Sequence, residues 1–127
     1  YLSHPPMYKD LYFKFPTEPA DQDQFGVALC EVIASGLASI GLWAKVHKIT
    51  HGCQGMLVCK SRDWDLSMLM HIGKKTGCVM IVEYPRYLAR WFSSLPKSSA
   101  EEIRERVEKA LRTDSRVSEL EWKEVDA

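Results

Sequence analysis

Residues 56–84 read MLVCKSRDWDLSMLMHIGKKTGCVMIVEY, and their periodicity decides the fold. Trp64, Leu66, Met68, Met70 and Ile72 place an apolar side chain at every second position, the period of a strand with one face buried. The five residues before them, Met56 to Lys60, form a preceding strand, and Ser61-Arg62-Asp63 the turn between the two. Gly73-Lys74-Lys75-Thr76-Gly77 supplies the next turn, with glycines free to take positive φ. Cys78-Val79-Met80-Ile81-Val82 is apolar throughout, which suits a central strand covered on both faces. Three consecutive strands joined by short turns predict an antiparallel sheet.

Working outward, Leu11, Phe13 and Phe15 alternate in a first strand closed by Pro16. Before it, residues 1–10 read as an irregular lead-in, because Pro5-Pro6 forbids helix. Thr17-Glu18-Pro19 has the form of a helix opening, with threonine as the cap and proline in the first turn. Phe25, Leu29, Val32, Ile33, Gly36, Leu37 and Ile40 then form one buried stripe, with Gly36 allowing close approach of a neighbour and Gly41 ending the helix. Trp43 to Thr50 is expected as a strand and residues 51–55 as the loop after it. Beyond the sheet, Pro85 to Phe92 reads as a short helix. Ser98 with Glu101 has the capping-box spacing of a second long helix, whose stripe is Ile103, Val107, Ala110 and Leu111. Val117 to Val125 is a last strand, with Leu120 and Trp122 inward and Glu119, Glu121 and Lys123 outward, as suits an edge. The expected order is β-α-β-β-β-β-α-α-β: one α+β domain over residues 1–127, an antiparallel sheet of about five to six strands with flanking helices.

A chain of 127 residues with 46% hydrophobic content has the length and composition of a folded domain. The apolar run from Phe25 to Ala44 is broken by Cys30, Glu31 and three glycines, so it reads as a core helix rather than a membrane span. No signal peptide is visible at the polar, proline-containing start, and a first residue of tyrosine leaves room for upstream sequence. Net charge is zero, yet residues 43–92 hold eight basic and three acidic side chains while residues 98–127 hold six and nine. So mixed a balance argues against a dedicated nucleic-acid binder. Cysteines 30, 53, 59 and 78 follow no CxxC spacing, and three of them fall in apolar stretches. Buried free thiols are expected, and with them a reducing compartment, the cytoplasm; two disulfides in an extracellular protein are the alternative.

Three constellations could carry chemistry. His47, His51, Cys53 and Cys59 form the pattern H-x3-H-x-C-x5-C, which a zinc ion could use, though structural zinc sites favour tight knuckles. His51-Gly52-Cys53-Gln54-Gly55 places a cysteine between glycines beside a histidine, the ingredients of a nucleophile loop. Glu121-Trp122-Lys123 has the E-x-K form of some metal-dependent nucleases, but on the last strand instead of mid-sheet. Against each stands the plainer expectation of loop histidines, packed thiols and a solvated edge, so neither catalytic residues, metal ligands nor a cofactor is expected. Surface recognition is then the leading expectation. Tyr84, Arg86, Tyr87 and Arg90 cluster with Trp91 after the central strand, in the residue types that anchor interfaces. Glu119, Glu121 and Glu124 offer a second, acidic surface.

The strand YFKFP, the capped amphipathic helix after it, the sheet with RDWDL, and the closing RTDSRVSELEW give the chain a layout that resembles the small cytosolic immunity proteins of bacterial polymorphic or contact-delivered toxins. That resemblance implies a non-enzymatic protein partner, a cognate toxin, neutralised by occluding its active site, and no involvement of nucleic acid or membrane. Two other expectations stay open: a protein-interaction or regulatory domain of a longer chain, and a small Cys/His-dependent enzyme or zinc-binding domain.

Overall fold

The computed structural model of the protein describes residues 8–48, 52–60, 64–85 and 97–125. The elements run β1 (Tyr8–Lys14), α1 (Gln22–Ala38), β2 (Ala44–His47), β3 (Met56–Lys60), β4 (Trp64–Ile72), β5 (Thr76–Pro85), α2 (Lys97–Arg112) and β6 (Ser118–Val125). The strands form one sheet in the order β2-β3-β4-β5-β1-β6, antiparallel at every step. The fold is α+β. After β1 the chain crosses the sheet as α1 and reaches the far edge at β2. It then meanders back through β3, β4 and β5 until β5 pairs with β1, and α2 leads to β6 on β1's other side.

Strand alternation decides which side chains the helices cover. Leu66, Met68, Met70 and Ile72 of β4, Val79 of β5, Leu57 and Cys59 of β3, and Leu11 and Phe13 of β1 are buried in one cluster. Leu29, Cys30, Ile33 and Leu37 of α1 and Ile103, Val107 and Leu111 of α2 join the same cluster, so both helices lie on one face of the sheet. The stripe of α1 is therefore centred on Gly26, Leu29, Cys30, Ile33 and Leu37, with Phe25 and Ile40 at its margin. Gly36 does bring the helices together: a Cβ there would sit 2.8 Å from the Cβ of Ala110.

Several boundaries differ from the sequence reading. The cap of α1 is Asp21, whose carboxylate accepts from the Gln24 N–H at 3.1 Å; Thr17 lies too far upstream to reach the first turn. β1 begins at Tyr8, within the expected lead-in, because its residues find partners on both sides in β5 and β6. β2 is shorter than expected, and Trp43 precedes it. Gly77 belongs to β5, not the turn: a side chain there would collide with the Phe13 ring, so the position is kept bare for packing. Pro85, expected to open a short helix, is the last residue of β5 and pairs with Trp64; the rest of that expected helix lies outside the described residues. α2 starts at Lys97, which puts Ser98 inside the first turn.

The α2–β6 corner is held by polar contacts. The Trp122 Nε1–H donates to Glu108 Oε1 at 2.7 Å, and the other oxygen of Glu108 accepts from Arg112 at 2.8 Å. Arg116 forms a two-pronged ion pair with Asp114, at 2.9 and 2.6 Å, and its guanidinium lies over the Phe25 ring at 5.3 Å. This arrangement ties the turn before β6 to the start of α1.

Candidate protein-interaction surface

The same alternation that buries half of each strand presents the other half on the face opposite the helices, and among the described residues no element covers it. One row crosses all six strands in register: Lys123, Asp10, Met80, Leu69, Met56 and His47. A second row runs Glu121, Tyr12, Cys78 and His71. Met56, Val58, Leu69, Met80, Cys78 and His71 are half-buried, and Tyr12 is exposed. The centre of this face is thus apolar and rich in methionine, a side chain that adapts to varied surfaces. Its ends are ionisable.

Beneath that surface sits a polar cluster. Asp10 is only 6% exposed, and burial pushes its carboxyl above the usual range, while the nearby His71 draws it partly back. Burial, with the Asp10 charge adding, pushes the Cys78 thiol up to about 11. Cys78 in turn raises the Tyr12 phenol, and the Lys123 ammonium lies 4.9 Å from the centre of the Tyr12 ring. Nε2 of His71 is buried and has no hydrogen-bond partner among the described residues. A buried polar atom without a partner costs on the order of 1–3 kcal/mol.

The acidic edge expected from the sequence is divided by the fold. Glu121 stands on the helix-free face opposite Tyr12. Glu124 pairs with Lys9 in the alternate register, which belongs to the helix-covered side. Glu119 sits at a β-bulge with φ of +52°, where the register shifts between Tyr12 and Lys14, and it pairs with Lys14 at 3.8 Å. Both partners of that pair are exposed, so it contributes little stability. All three glutamates are solvent-exposed. Of the second expected surface, Tyr84 is paired in β5 opposite Asp65, and Arg86, Tyr87 and Arg90 lie outside the described residues.

The metal-like cluster does not converge. His47 lies on the helix-free face and Cys59 in the helix-side core, on opposite sides of the sheet, while His51 lies outside the described residues. No group of three or more potential ligands converges among the described residues. The loop at Cys53 is bound into the sheet. Gln54 N–H donates to the Met70 carbonyl at 2.7 Å, Met70 N–H to the Gly55 carbonyl at 2.9 Å, and Ile72 N–H to Gln54 Oε1 at 2.7 Å. Gly26 of α1 packs directly on Gln54, with no room for a Cβ, and Cys53 is buried. Burial also raises the Cys30 thiol to about 12 and that of Cys59 to about 11, so both are protonated and poorly nucleophilic at neutral pH. All four cysteines are free.

The methionine-rich row was the part that sequence reasoning missed. Its signal is present in the second parity of β4, Ser67-Leu69-His71, and in the unbroken apolar run of β5, which was expected to be covered on both faces. No family model matches the sequence, and no curated protein is significantly similar to it. Among the described residues no helix is long and apolar enough to cross a membrane.

Proposed function

We propose that this protein is a non-enzymatic inhibitor of the immunity type, which binds a bacterial toxin and blocks its active site with the helix-free face of the sheet. The observation that carries this reading is the full-width row from Lys123 to His47, apolar at Met80, Leu69 and Met56 and charged at its margin. An accessible apolar patch rimmed by polar residues is the usual form of a protein-binding surface. The buried, unpartnered Nε2 of His71 supports it further, because a partner that donates or accepts there removes a standing cost. Glu121 and Glu119 at the rim suit a target with a basic active site, as in toxins that act on nucleic acid or nucleotides. Carboxylates placed there speed association and repel the natural substrate together. Protonated thiols fit a binding role better than a catalytic one, and four free cysteines fit action in the cytoplasm.

The test is protection of a bacterial host from the product of the neighbouring toxin gene. The double variant Leu69→Arg, Glu121→Lys is expected to lose protection and to bind the purified toxin at least about thirtyfold more weakly, since each change removes on the order of 1–2 kcal/mol. Its melting temperature should stay near that of the parent. Cys53→Ala, a change to a buried thiol, should protect in full. Full protection by the double variant, or loss of protection in Cys53→Ala with the fold intact, overturns the reading.

A further inference from the structure

The two edges of the sheet are built differently. β6 has eight residues, exposes Glu119, Glu121, Lys123 and Glu124, and is bent by the bulge at Glu119. Charges and a bulge are the devices by which an edge refuses a further strand. β2 has neither a bulge nor more than one charged residue, Lys45, in its four positions. Among the described residues it pairs with β3 alone, so its outer backbone groups have no strand partner there.

Directly before β2 stands Trp43, 77% exposed. The local backbone puts it there. Gly41 takes φ of +82°, and the Leu42 N–H donates to the Leu37 carbonyl at 3.0 Å, closing the end of α1. Leu42 then packs against the core, and the next side chain faces out. An indole left in water forfeits the free energy that burial of its large apolar surface would bring. The surrounding charge has one sign. Lys45 and Lys48 are exposed, and from Trp43 to Arg62 the sequence holds Lys45, Lys48, Lys60 and Arg62 with no acidic residue.

We infer that Trp43 and the outer edge of β2 form a second docking surface, which takes an extended acidic segment of another protein as an added strand. The segment's backbone completes the ladder of β2, an apolar residue of it packs on the Trp43 indole, and its carboxylates meet Lys45 and Lys48. Charge selects this occupant over a second copy joined β2 to β2, which would bring the lysines of the two copies together. The free backbone edge selects it over nucleic acid, which has no ladder of N–H and C=O groups to offer. This surface adjoins the helix-free face, since Lys45 is in register with Val58 there, but it is built on the outer backbone of β2 and on Trp43, which the toxin-binding row does not use.

The probe is a dye-labelled peptide of alternating valine and glutamate, titrated with the full chain at low salt and followed by fluorescence anisotropy. The peptide should bind. Trp43→Ala and Lys45→Glu should each weaken it about tenfold or more, as loss of an anchor or reversal of a facing charge does. Methylating alternate backbone nitrogens of the peptide should abolish binding, and a valine–lysine peptide should not bind. Glu105→Gln, on the exposed face of α2, should leave the affinity unchanged. Trp43 and Lys45 are exposed, so these variants keep the parent melting temperature, which is checked alongside. The inference is overturned by absence of binding, by undiminished binding to Trp43→Ala, or by equal binding of the methylated peptide. Tighter binding of a single-stranded oligonucleotide would assign the edge to nucleic acid, and dimers in light scattering that Trp43→Ala dissolves would assign it to a second copy; either result also overturns it.

Discussion

Successive residues of β4 face two different environments. Leu66, Met68, Met70 and Ile72 are buried among aliphatic side chains of both helices, whereas Ser67, Leu69 and His71 point the other way and are half-buried. On the helix side the buried residues are apolar and tightly packed, down to glycines at positions 26, 36 and 77 that leave no space for a methyl. On the helix-free side the groups are mixed, and some sit at a cost: a carboxyl with a raised pKa, an imidazole nitrogen without a partner. A layer in which everything is satisfied serves stability. A layer that holds unsatisfied groups near solvent is the one on which the proposed binding role rests.

The sharpest way to break this contrast is to place a charge on each side. Val79→Asp buries an unpaired carboxylate at a fully buried position and is expected to remove on the order of 3–5 kcal/mol, a large share of the roughly 5–15 kcal/mol that holds a domain folded. Leu69→Lys, on the helix-free side, should cost no more than about 1 kcal/mol, because its ammonium can reach water. Chemical denaturation of both variants measures the difference. Equal losses would mean that both faces are closed.

A smaller effect is expected from crowding the helix side. In Gly26→Ala the new methyl meets the Gln54 carbonyl, backbone that cannot swing aside, so α1 must shift from the loop. The loss should be about 1–3 kcal/mol, the usual cost of overpacking, in place of the gain that alanine brings to an exposed helix position. A rise in melting temperature would show that helix and loop are less closely fitted than described.

The smallest effect should come from Asp10, and its sign is opposite. Burial raises this carboxyl, so the folded chain holds the proton more firmly than the unfolded chain does. The associated penalty is absent below the unfolded pKa and grows as pH rises through the folded one. Asp10→Asn should therefore melt higher than the parent at neutral pH, with the gap closing as the pH falls towards about 3. A lower melting temperature at neutral pH would mean that the ionised carboxylate is stabilised more by His71 and Lys123 than it is penalised by burial.

What the sequence made legible follows from which signals are local. The period of two in residues 64–72 and the spacing of Leu29, Ile33 and Leu37 are set by the geometry of single elements, and both elements lie where that spacing puts them. The order of strands is not local. Nothing in Leu11-Tyr12-Phe13 announces that this strand lies between β5 and β6, because its partners are far along the chain. The same holds for Gly77, whose neighbour across the sheet is Phe13; read along the chain it looks like a turn residue. The acidic surface was legible as composition only. Alternation already separates Glu121 from Glu124, but only the register with β1 shows which of them stands on the helix-free side, and the bulge sets Glu119 apart from both.

The position of β1 also orders the making of the molecule. Among the described strands it is the first to leave the ribosome, yet its two neighbours, β5 and β6, are the last. The meander from β2 to β5 can close from contacts local in the chain, but β1 waits for β5, and the sheet is complete only when β6 has been released. Until β5 emerges, Leu11, Phe13 and Phe15 have no sheet to enter. Between the release of β1 and that of β5 the nascent chain carries an unpaired apolar strand, the kind of segment that holding chaperones bind.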